Sequence, residues 1–311
     1  MGRPTDARVL RERRSSVPLG IRGSVRRVQP PQPTRHSIVR TLLSLRRPRG
    51  WHARLAPNDS RGNLLIDVLD YHKTYRDTPA VSGLSFRVQP GEILGLVGPN
   101  GAGKTTTLRA IAGIIPPSSG TLRVAGHDVV KAPRDAKQTL AYVPDDPHLF
   151  DALTVWEHLE FTAATYRVSD YAAKARRLLE QFELSERRDT LAHELSRGMR
   201  QKVAIACAYL HDPLALLFDE PHTGLDPRGI RAMRQSIRER SAAGAAIIVS
   251  SHLLTLVEDV CSHLLILDRG RCRYFGMMDA ARAAFGDLQS DATLEEIFFR
   301  ATEAPPDPGT D

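Results

Sequence analysis

Short apolar runs alternate with amphipathic segments along most of the chain, and this pattern predicts a mixed α/β fold. The apolar runs are continuous, as expected of parallel strands buried on both faces, and lie at residues 93–97, 141–143, 214–218, 245–249 and 264–267. Helices are predicted in several of the segments between them, over 106–114, 133–138, 230–242 and a stretch that ends at 261. Strands that alternate with helices in this way predict a mostly parallel sheet covered by helices.

A small antiparallel β layer is predicted before the apolar run at 93–97. Residues 64–69 and 83–88 have strand character, and the polar segment 73–78 between them, which contains Tyr75, is interpreted as a loop. A further short strand is expected at 121–124, after a loop rich in proline, serine and glycine.

Residues 147–200 change character and predict an α-helical subdomain inserted into the α/β domain, which we assign to residues 63–302. Thr154 and Glu157 have the spacing of a capping box, which predicts a helix from there to about residue 166. A second helix is expected from about 169 to 182. The next helix has apolar residues on one face, namely Val203, Ala206, Cys207 and Leu210.

Residues 98–105 read Gly-Pro-Asn-Gly-Ala-Gly-Lys-Thr and match the P-loop pattern G-x-x-x-x-G-K-[ST] at every position. A predicted strand precedes the motif and a predicted helix follows it, so backbone N–H groups can turn inward around phosphates. We expect Lys104 to bridge the β- and γ-phosphates and Thr105 to ligate Mg²⁺. The simpler alternative is a glycine-rich turn. The predicted nucleotide-binding residues here are Gly98, Pro99, Asn100, Gly101, Ala102, Gly103, Lys104, Thr105 and Thr106.

The apolar strand at 214–218 ends in two adjacent carboxylates, Asp219 and Glu220. Acid pairs at strand ends are common, but an upstream P-loop makes this one a Walker B arrangement. Asp219 is then expected to hold Mg²⁺, and Glu220 to polarise the attacking water.

Three more motifs identify a family. Leu-Ser-Arg-Gly-Met occupies residues 195–199, Thr-Gly-Leu-Asp-Pro occupies 223–227, and Ser-Ser-His-Leu occupies 250–253. With the P-loop and the carboxylate pair they stand in the order and at the spacing of ATP-binding-cassette (ABC) ATPases, which the chain resembles from about residue 64 to 302. The resemblance implies a P-loop NTPase core with a mostly parallel sheet, an antiparallel β layer and an inserted helical subdomain.

The resemblance also implies roles for single residues. The catalytic residues would be Lys104, Glu220 and His252, with ATP and Mg²⁺ as cofactors. A lone histidine at a strand end is usually structural, so the assignment of His252 depends on the other motifs. Adenine would stack on Tyr75 and lie against Val81, although an ordinary exposed aromatic is the alternative for Tyr75.

In this family ATP lies between two cassettes arranged head to tail, and each signature motif completes the partner's site. The signature residues here are Ser196, Arg197, Gly198 and Met199, and Asp226 of the D-loop would lie along the interface. The partners implied are a second copy or a related ATPase subunit, and a membrane permease. A groove near Phe150 would receive the permease, with Phe150, Leu153 and Trp156 as candidate contacts, unless these residues only form core.

Two departures from the family's usual motifs stand out. The usual signature is Leu-Ser-Gly-Gly-Gln, whereas Arg197 and Met199 replace the first Gly and the Gln here, a variant that looks like that of exporters with separately encoded permeases. After Tyr142-Val143-Pro144 the family usually has Gln, and this chain has Asp145. We predict that Asp145 ligates Mg²⁺ and transmits the ATP state to the helical subdomain.

Charge is unevenly distributed. Residues 1–62 contain 15 arginines, no lysine and three acidic residues, while the whole chain has a net charge of +7, so the remaining residues are net negative. The basic part has little periodicity and is interpreted as a mostly disordered extension. A basic amphipathic helix over 35–47 and an arginine-rich transit peptide are the alternatives. The tail at 303–311 is rich in proline and acids and is expected to be frayed.

No apolar run reaches the ~18 residues that a membrane helix requires, and the three cysteines lack C-x-x-C spacing. We therefore expect a cytoplasmic protein, and the family resemblance implies that a permease holds it at the inner face of the membrane. Because the basic residues belong to a tail, no nucleic-acid partner is predicted.

The function predicted is the ATP-binding and hydrolysing subunit of a membrane exporter, driven by ATP-dependent dimerisation of two cassettes. The alternative is a soluble single cassette without a permease, acting in iron–sulfur assembly or on nucleic acid or ribosomes. About 90 residues without sustained heptads separate the P-loop from the signature, which argues against the long coiled coil of repair-type cassettes. A cassette that binds ATP without hydrolysing it is disfavoured by intact Lys104, Asp219, Glu220 and His252.

Overall fold

The structure is a computed structural model that describes residues 64–284 and 293–303. The basic extension predicted for residues 1–62 lies outside the described residues, as do residues 304–311 of the predicted tail. Within the described ranges, no helix combines the length and the apolar character needed to cross a membrane.

One sheet is antiparallel and has four strands, which are β1 (Ile66–Tyr75), β2 (Thr78–Val88), β4 (Ser119–Val124) and β5 (His127–Asp128). They lie in the order β2-β1-β4-β5. The predicted loop over 73–78 is wrong, because β1 and β2 pair as far as Tyr75 and Thr78 and leave a two-residue turn. Polar residues fit this end of the hairpin because it is solvent-exposed.

The second sheet has six strands, which are β3 (Ile93–Val97), β6 (Leu140–Val143), β7 (Ala215–Asp219), β8 (Ala246–Ser250), β9 (His263–Asp268) and β10 (Arg271–Met277). Their order is β10-β9-β3-β8-β7-β6. Neighbours from β9 to β6 are parallel, which confirms the predicted mostly parallel sheet. The edge strand β10 pairs antiparallel with β9 and was not predicted, since four of its seven residues are exposed and it lacks a buried apolar run.

The helices are α1 (Lys104–Ile111), α2 (Pro133–Gln138), α3 (Val155–Tyr166), α4 (Tyr171–Gln181), α5 (Arg197–Leu210), α6 (Pro227–Ala242), α7 (Leu254–Val260), α8 (Met278–Ala284) and α9 (Leu294–Glu303). The predicted capping box is confirmed: Thr154 Oγ1 accepts from the Glu157 amide at 3.2 Å, and the Glu157 carboxylate accepts from the Thr154 amide at 2.7 Å. Helix α1 starts two residues before the predicted range of 106–114 and ends three residues before its end, because Gly113, at φ +62°, follows its last turn.

The six-stranded sheet separates two apolar cores, and successive strand residues face alternate sides. Leu217 and Ile248 pack with the antiparallel sheet and α1. Leu216 and Phe218 pack with helices of the predicted helical subdomain. Because β3, β7 and β8 are buried along their whole length, their polar groups are confined to the carboxyl ends, where chemistry is possible.

Candidate active site

The site forms where β3, β8 and β7 end side by side. These strands are parallel neighbours, and Asp219 at the end of β7 is in register with Ser250 at the end of β8. The P-loop follows β3 directly. The topology therefore brings together the P-loop and the Walker B carboxylate, which are more than a hundred residues apart in the chain.

The P-loop is closed tightly around the side chain of Lys104, which is only 8% exposed. Its ammonium donates hydrogen bonds to the carbonyl oxygens of Gly98 at 2.6 Å and Pro99 at 3.2 Å. Burial lowers the pKa of Lys104, and the nearby carboxylates of Glu220 and Asp219 act in the opposite direction. The ammonium is thus held beneath the loop by hydrogen bonds to the loop backbone.

Two glycines of the loop are required by space. A Cβ on Gly98 would lie 2.3 Å from the Leu267 carbonyl oxygen. Gly103 has φ +105°, and a Cβ there would lie 2.8 Å from the Ala80 carbonyl oxygen. Helix α1 starts immediately afterwards, so its unpaired N–H groups belong to the same cradle. This geometry fits a bound phosphate chain.

Asp219 is 2% exposed and is the hub of a buried hydrogen-bond network. One carboxylate oxygen accepts from Ser250 Oγ at 2.7 Å and from Thr105 Oγ1 at 3.1 Å, and the other accepts from the Tyr142 hydroxyl at 3.1 Å. Burial, with the charge of Asp219 as a second cause, raises the pKa of Tyr142 to about 12. Oxygen donors at this spacing are of the kind that Mg²⁺ prefers, so Thr105 and Asp219 are suited to hold it.

Glu220 and His252 are directly hydrogen-bonded. Glu220 Oε2 lies 2.8 Å from His252 Nδ1 and accepts from the His252 amide at 3.1 Å. Glu220 has a left-handed backbone, with φ +49°, and its amide donates to the Ser250 carbonyl oxygen at 3.0 Å. Glu220 and His252, which belong to separate sequence motifs, are therefore in direct contact just after the ends of β7 and β8.

His222 is the neighbour that sequence reasoning missed. Its ring centroid lies 5.1 Å from that of His252, and its Nδ1 lies 3.4 Å from Ser251 Oγ. Burial, followed by the neighbouring His252, lowers the pKa of His222. Its position two residues after Glu220 was the available signal, because the turn after β7 faces the loop after β8.

The signature residues lie at the start of α5, against the D-loop. Ser196 caps the helix by accepting from the Met199 amide at 3.3 Å. A Cβ on Gly198 would lie 2.2 Å from the Gly224 carbonyl oxygen, so only glycine fits there. Asp226 caps α6 and accepts from the Gly229 amide at 3.0 Å, which, with Lys202 nearby, lowers the pKa of Asp226.

Asp145 forms an ion pair with Arg197, the first residue of α5. Its carboxylate lies 3.1 Å from the Arg197 guanidinium. Asp145 is not among the residues that hydrogen-bond to the Asp219 carboxylate, which are Thr105, Tyr142 and Ser250. The Mg²⁺ contact expected of Asp145 stays a prediction.

The remaining predicted residues differ in exposure. Tyr75 is 47% exposed, with Lys73 Nζ 5.0 Å from its ring centroid, whereas Val81 is buried beneath Gly103. Of the three candidate permease contacts only Phe150 is exposed, at 55%. Leu153 and Trp156 are buried, since the capping-box helix turns its apolar face inward, so they do not form an exposed contact surface.

Comparison with known proteins agrees with this geometry. The sequence model of the family described as "ABC transporter" matches residues 81–223. The ABC-type transporter ATP-binding protein EcsA of Bacillus subtilis (strain 168) is 35% identical over 241 residues, which cover 77% of this chain and 97% of EcsA. The Nod factor export ATP-binding protein I of Burkholderia pseudomallei (strain 1710b) is 40% identical over 198 residues, covering 63% of this chain and 65% of that protein.

Solved structures give the same result. A structure titled as the ATP binding subunit of an ABC transporter superposes with a TM-score of 0.73 at 35% identity, and covers 76% of this chain and 99% of its own. A nucleotide-free ATP-binding cassette from an ABC transporter, at 23% identity, shares the fold with a TM-score of 0.61 over 69% of this chain and 91% of its own. The two relatives are named as ATP-binding proteins of a transporter and of an export system, and these names do not favour a soluble cassette without a permease. The chain therefore belongs to the ABC transporter family, as one of the ATP-binding ATPases of that family.

Proposed function

We propose that this chain is the ATP-hydrolysing subunit of a membrane exporter whose permease is a separate polypeptide. The observation that carries the proposal is the match over 97% of the length of a transporter ATP-binding protein. A relative named for Nod factor export supports the outward direction. The subunit would work at the cytoplasmic face of the membrane, held there by its permease.

Within one subunit, Lys104 would bind the β- and γ-phosphates, while Thr105 and Asp219 would hold Mg²⁺. Bound Mg²⁺ supplies charge neutralisation at the phosphates. Glu220 would accept a hydrogen bond from the attacking water and polarise it. The contact with His252 supports this role, because a carboxylate fixed at 2.8 Å from an imidazole has a defined orientation.

Two subunits would complete each ATP site. Ser196, Gly198 and the first N–H groups of α5 would contact the γ-phosphate held by the partner, and Asp226 would lie along the shared interface. The support is that the N-terminus of α5 lies against the D-loop, since Gly198 is in contact with Gly224. The partner would be a second copy of this chain or a related subunit. Within each subunit, the exposed ring of Tyr75 would stack on adenine.

A Glu220→Gln variant tests the catalytic part of this proposal. The amide cannot polarise water as a carboxylate does, so ATP should stay bound and the protein should dimerise, as measured by light scattering and by the ATPase rate. Glu180→Gln, which changes an exposed carboxylate on α4, is the matched control. Hydrolysis by Glu220→Gln at the wild-type rate would contradict the assignment.

The transport part needs a separate experiment. Purification of the chain from membranes should recover a polytopic protein in stoichiometric amount, and Phe150→Asp should reduce that recovery. Ile114→Asp, which changes an equally exposed apolar residue outside the helical region, is the control. Equal recovery with both variants would exclude Phe150 as a permease contact.

A further inference from the structure

Three side chains that can bind a metal ion converge where β7 and β8 end. They are Glu220, His222 and His252, and one potential ligand atom from each lies within 4.8 Å of the others. Glu220 and His222 are half-buried, whereas His252 is exposed. The approach to the cluster is therefore open on one side.

We propose that Glu220, His222 and His252 form an inhibitory site for a transition-metal dication, with Zn²⁺ as the ion that fits best. Two imidazoles and one carboxylate are a ligand set that zinc accepts, with a fourth position left to water. Imidazole also suits Cu²⁺ and Ni²⁺, whereas Mg²⁺ prefers oxygen ligands. The cluster is thus chemically distinct from the oxygen donors Thr105 and Asp219.

The backbone holds these ligands close together. Glu220 and His222 lie on the turn after β7, and His252 lies after the neighbouring strand β8. The Glu220 amide donates to the Ser250 carbonyl oxygen at 3.0 Å, which ties the turn to the loop. Ser251 Oγ, 3.4 Å from His222 Nδ1, orients the imidazole in the manner of an outer-shell partner.

Metal binding would stop hydrolysis without preventing ATP binding. A coordinated Glu220 carboxylate cannot polarise water, and the ion would replace the 2.8 Å contact between Glu220 and His252. Lys104 and the P-loop carbonyl groups that hold it take no part in the cluster. Zn²⁺ is therefore expected to lower the ATPase rate while the affinity for ATP changes little.

His222 is the residue to test, because it belongs to the cluster and has no part in the proposed hydrolysis. The nucleotide-free protein is titrated with Co²⁺, whose visible absorption reports nitrogen and oxygen ligands in a low-symmetry site, and Zn²⁺ is then used to displace it. Removal of one of three protein ligands should weaken binding at least tenfold in His222→Asn. His193→Asn is the matched control, since His193 Nε2 also lies near a single carboxylate, 3.8 Å from Glu194.

Zn²⁺ inhibition is measured in parallel, as a fraction of each variant's own uninhibited rate and at one fixed excess of Mg²⁺ and ATP. Wild type and His193→Asn should share the same inhibition curve, and His222→Asn should require at least tenfold more Zn²⁺. His222→Cys should regain binding, because a thiolate also ligates zinc. Equal Co²⁺ affinity, or an equal inhibition curve, in wild type and His222→Asn would overturn the proposal.

Discussion

Asp145 and Arg197, the two positions where this chain departs in charge from the usual motifs of its family, form an ion pair with each other at 3.1 Å. Asp145 lies in the segment that leads from β6 into the helical region, and Arg197 is the first residue of α5. The pair therefore joins both ends of that region within one subunit, at the surface proposed to meet the partner's ATP.

The first prediction is that these substitutions compensate each other. Both side chains are about half exposed, 47% and 46%, so a double-mutant cycle with Asp145→Gln and Arg197→Gly should give a coupling free energy of only about 0.5 kcal/mol in stability. Chemical denaturation at low and at high salt measures it, and the coupling should shrink at high salt. Strict additivity at low salt would show that the pair contributes nothing.

The second prediction separates the two roles of Asp145. If Asp145 ligates Mg²⁺ when ATP is bound, Asp145→Ala should raise the Mg²⁺ concentration that gives half-maximal ATPase activity. Arg197→Ala, which removes the same ion pair but no carboxylate, is the control and should leave that concentration unchanged. An equal response of both variants would assign the effect to the ion pair alone.

The third prediction concerns the buried network around Asp219. Ser250 is fully buried and donates to the Asp219 carboxylate at 2.7 Å. Ser250→Ala removes a hydrogen bond to a charged group and should lower the free energy of unfolding by roughly 2 kcal/mol. Urea denaturation measures this loss. Ser196→Ala, an exposed serine at a helix start, should cost about 1 kcal/mol or less, and an equal loss in both variants would contradict the special role of the network.

The fourth prediction is a loss of stability in mild acid caused by His211. This histidine stacks on Tyr166, with ring centroids 3.7 Å apart, and burial lowers its pKa to about 4, with Lys174 acting in the same direction and Asp212 against it. The unfolded chain binds a proton near its ordinary pKa of 6.5, whereas the folded chain does not. The stabilisation by the neutral imidazole is therefore fully present above pH 6.5, and about 3 kcal/mol of it is lost as the pH decreases to 4.

Urea denaturation between pH 7.5 and 4.5 measures this dependence, and His211→Asn supplies the control. The variant has no group that titrates in this range at position 211, so its stability should fall less steeply than that of the wild type. Parallel curves for both proteins would exclude His211 as the cause.

Much of the architecture was predictable because local patterns decide it. The buried strands β3, β7 and β8 appear as continuous apolar runs, and Thr154 with Glu157 marks the start of α3. Strand β10 was missed and the end of the first hairpin was misread as a loop, since their residues are exposed or half-exposed and form no buried apolar run. Their strand state depends on a neighbouring strand that supplies hydrogen bonds, which no local pattern records.

By itself the sequence determined the P-loop and the carboxylates of Asp219 and Glu220, because each is a contiguous motif whose chemistry follows from residue type. It also determined the family, because five such motifs stand in the family's order and spacing. Only the tertiary structure decided which distant side chains meet. It paired Asp145 with Arg197 and brought His222 to His252. These contacts arise where parallel strands end side by side, and strand order is a property of the folded sheet, formed by hydrogen bonds between segments far apart in the chain.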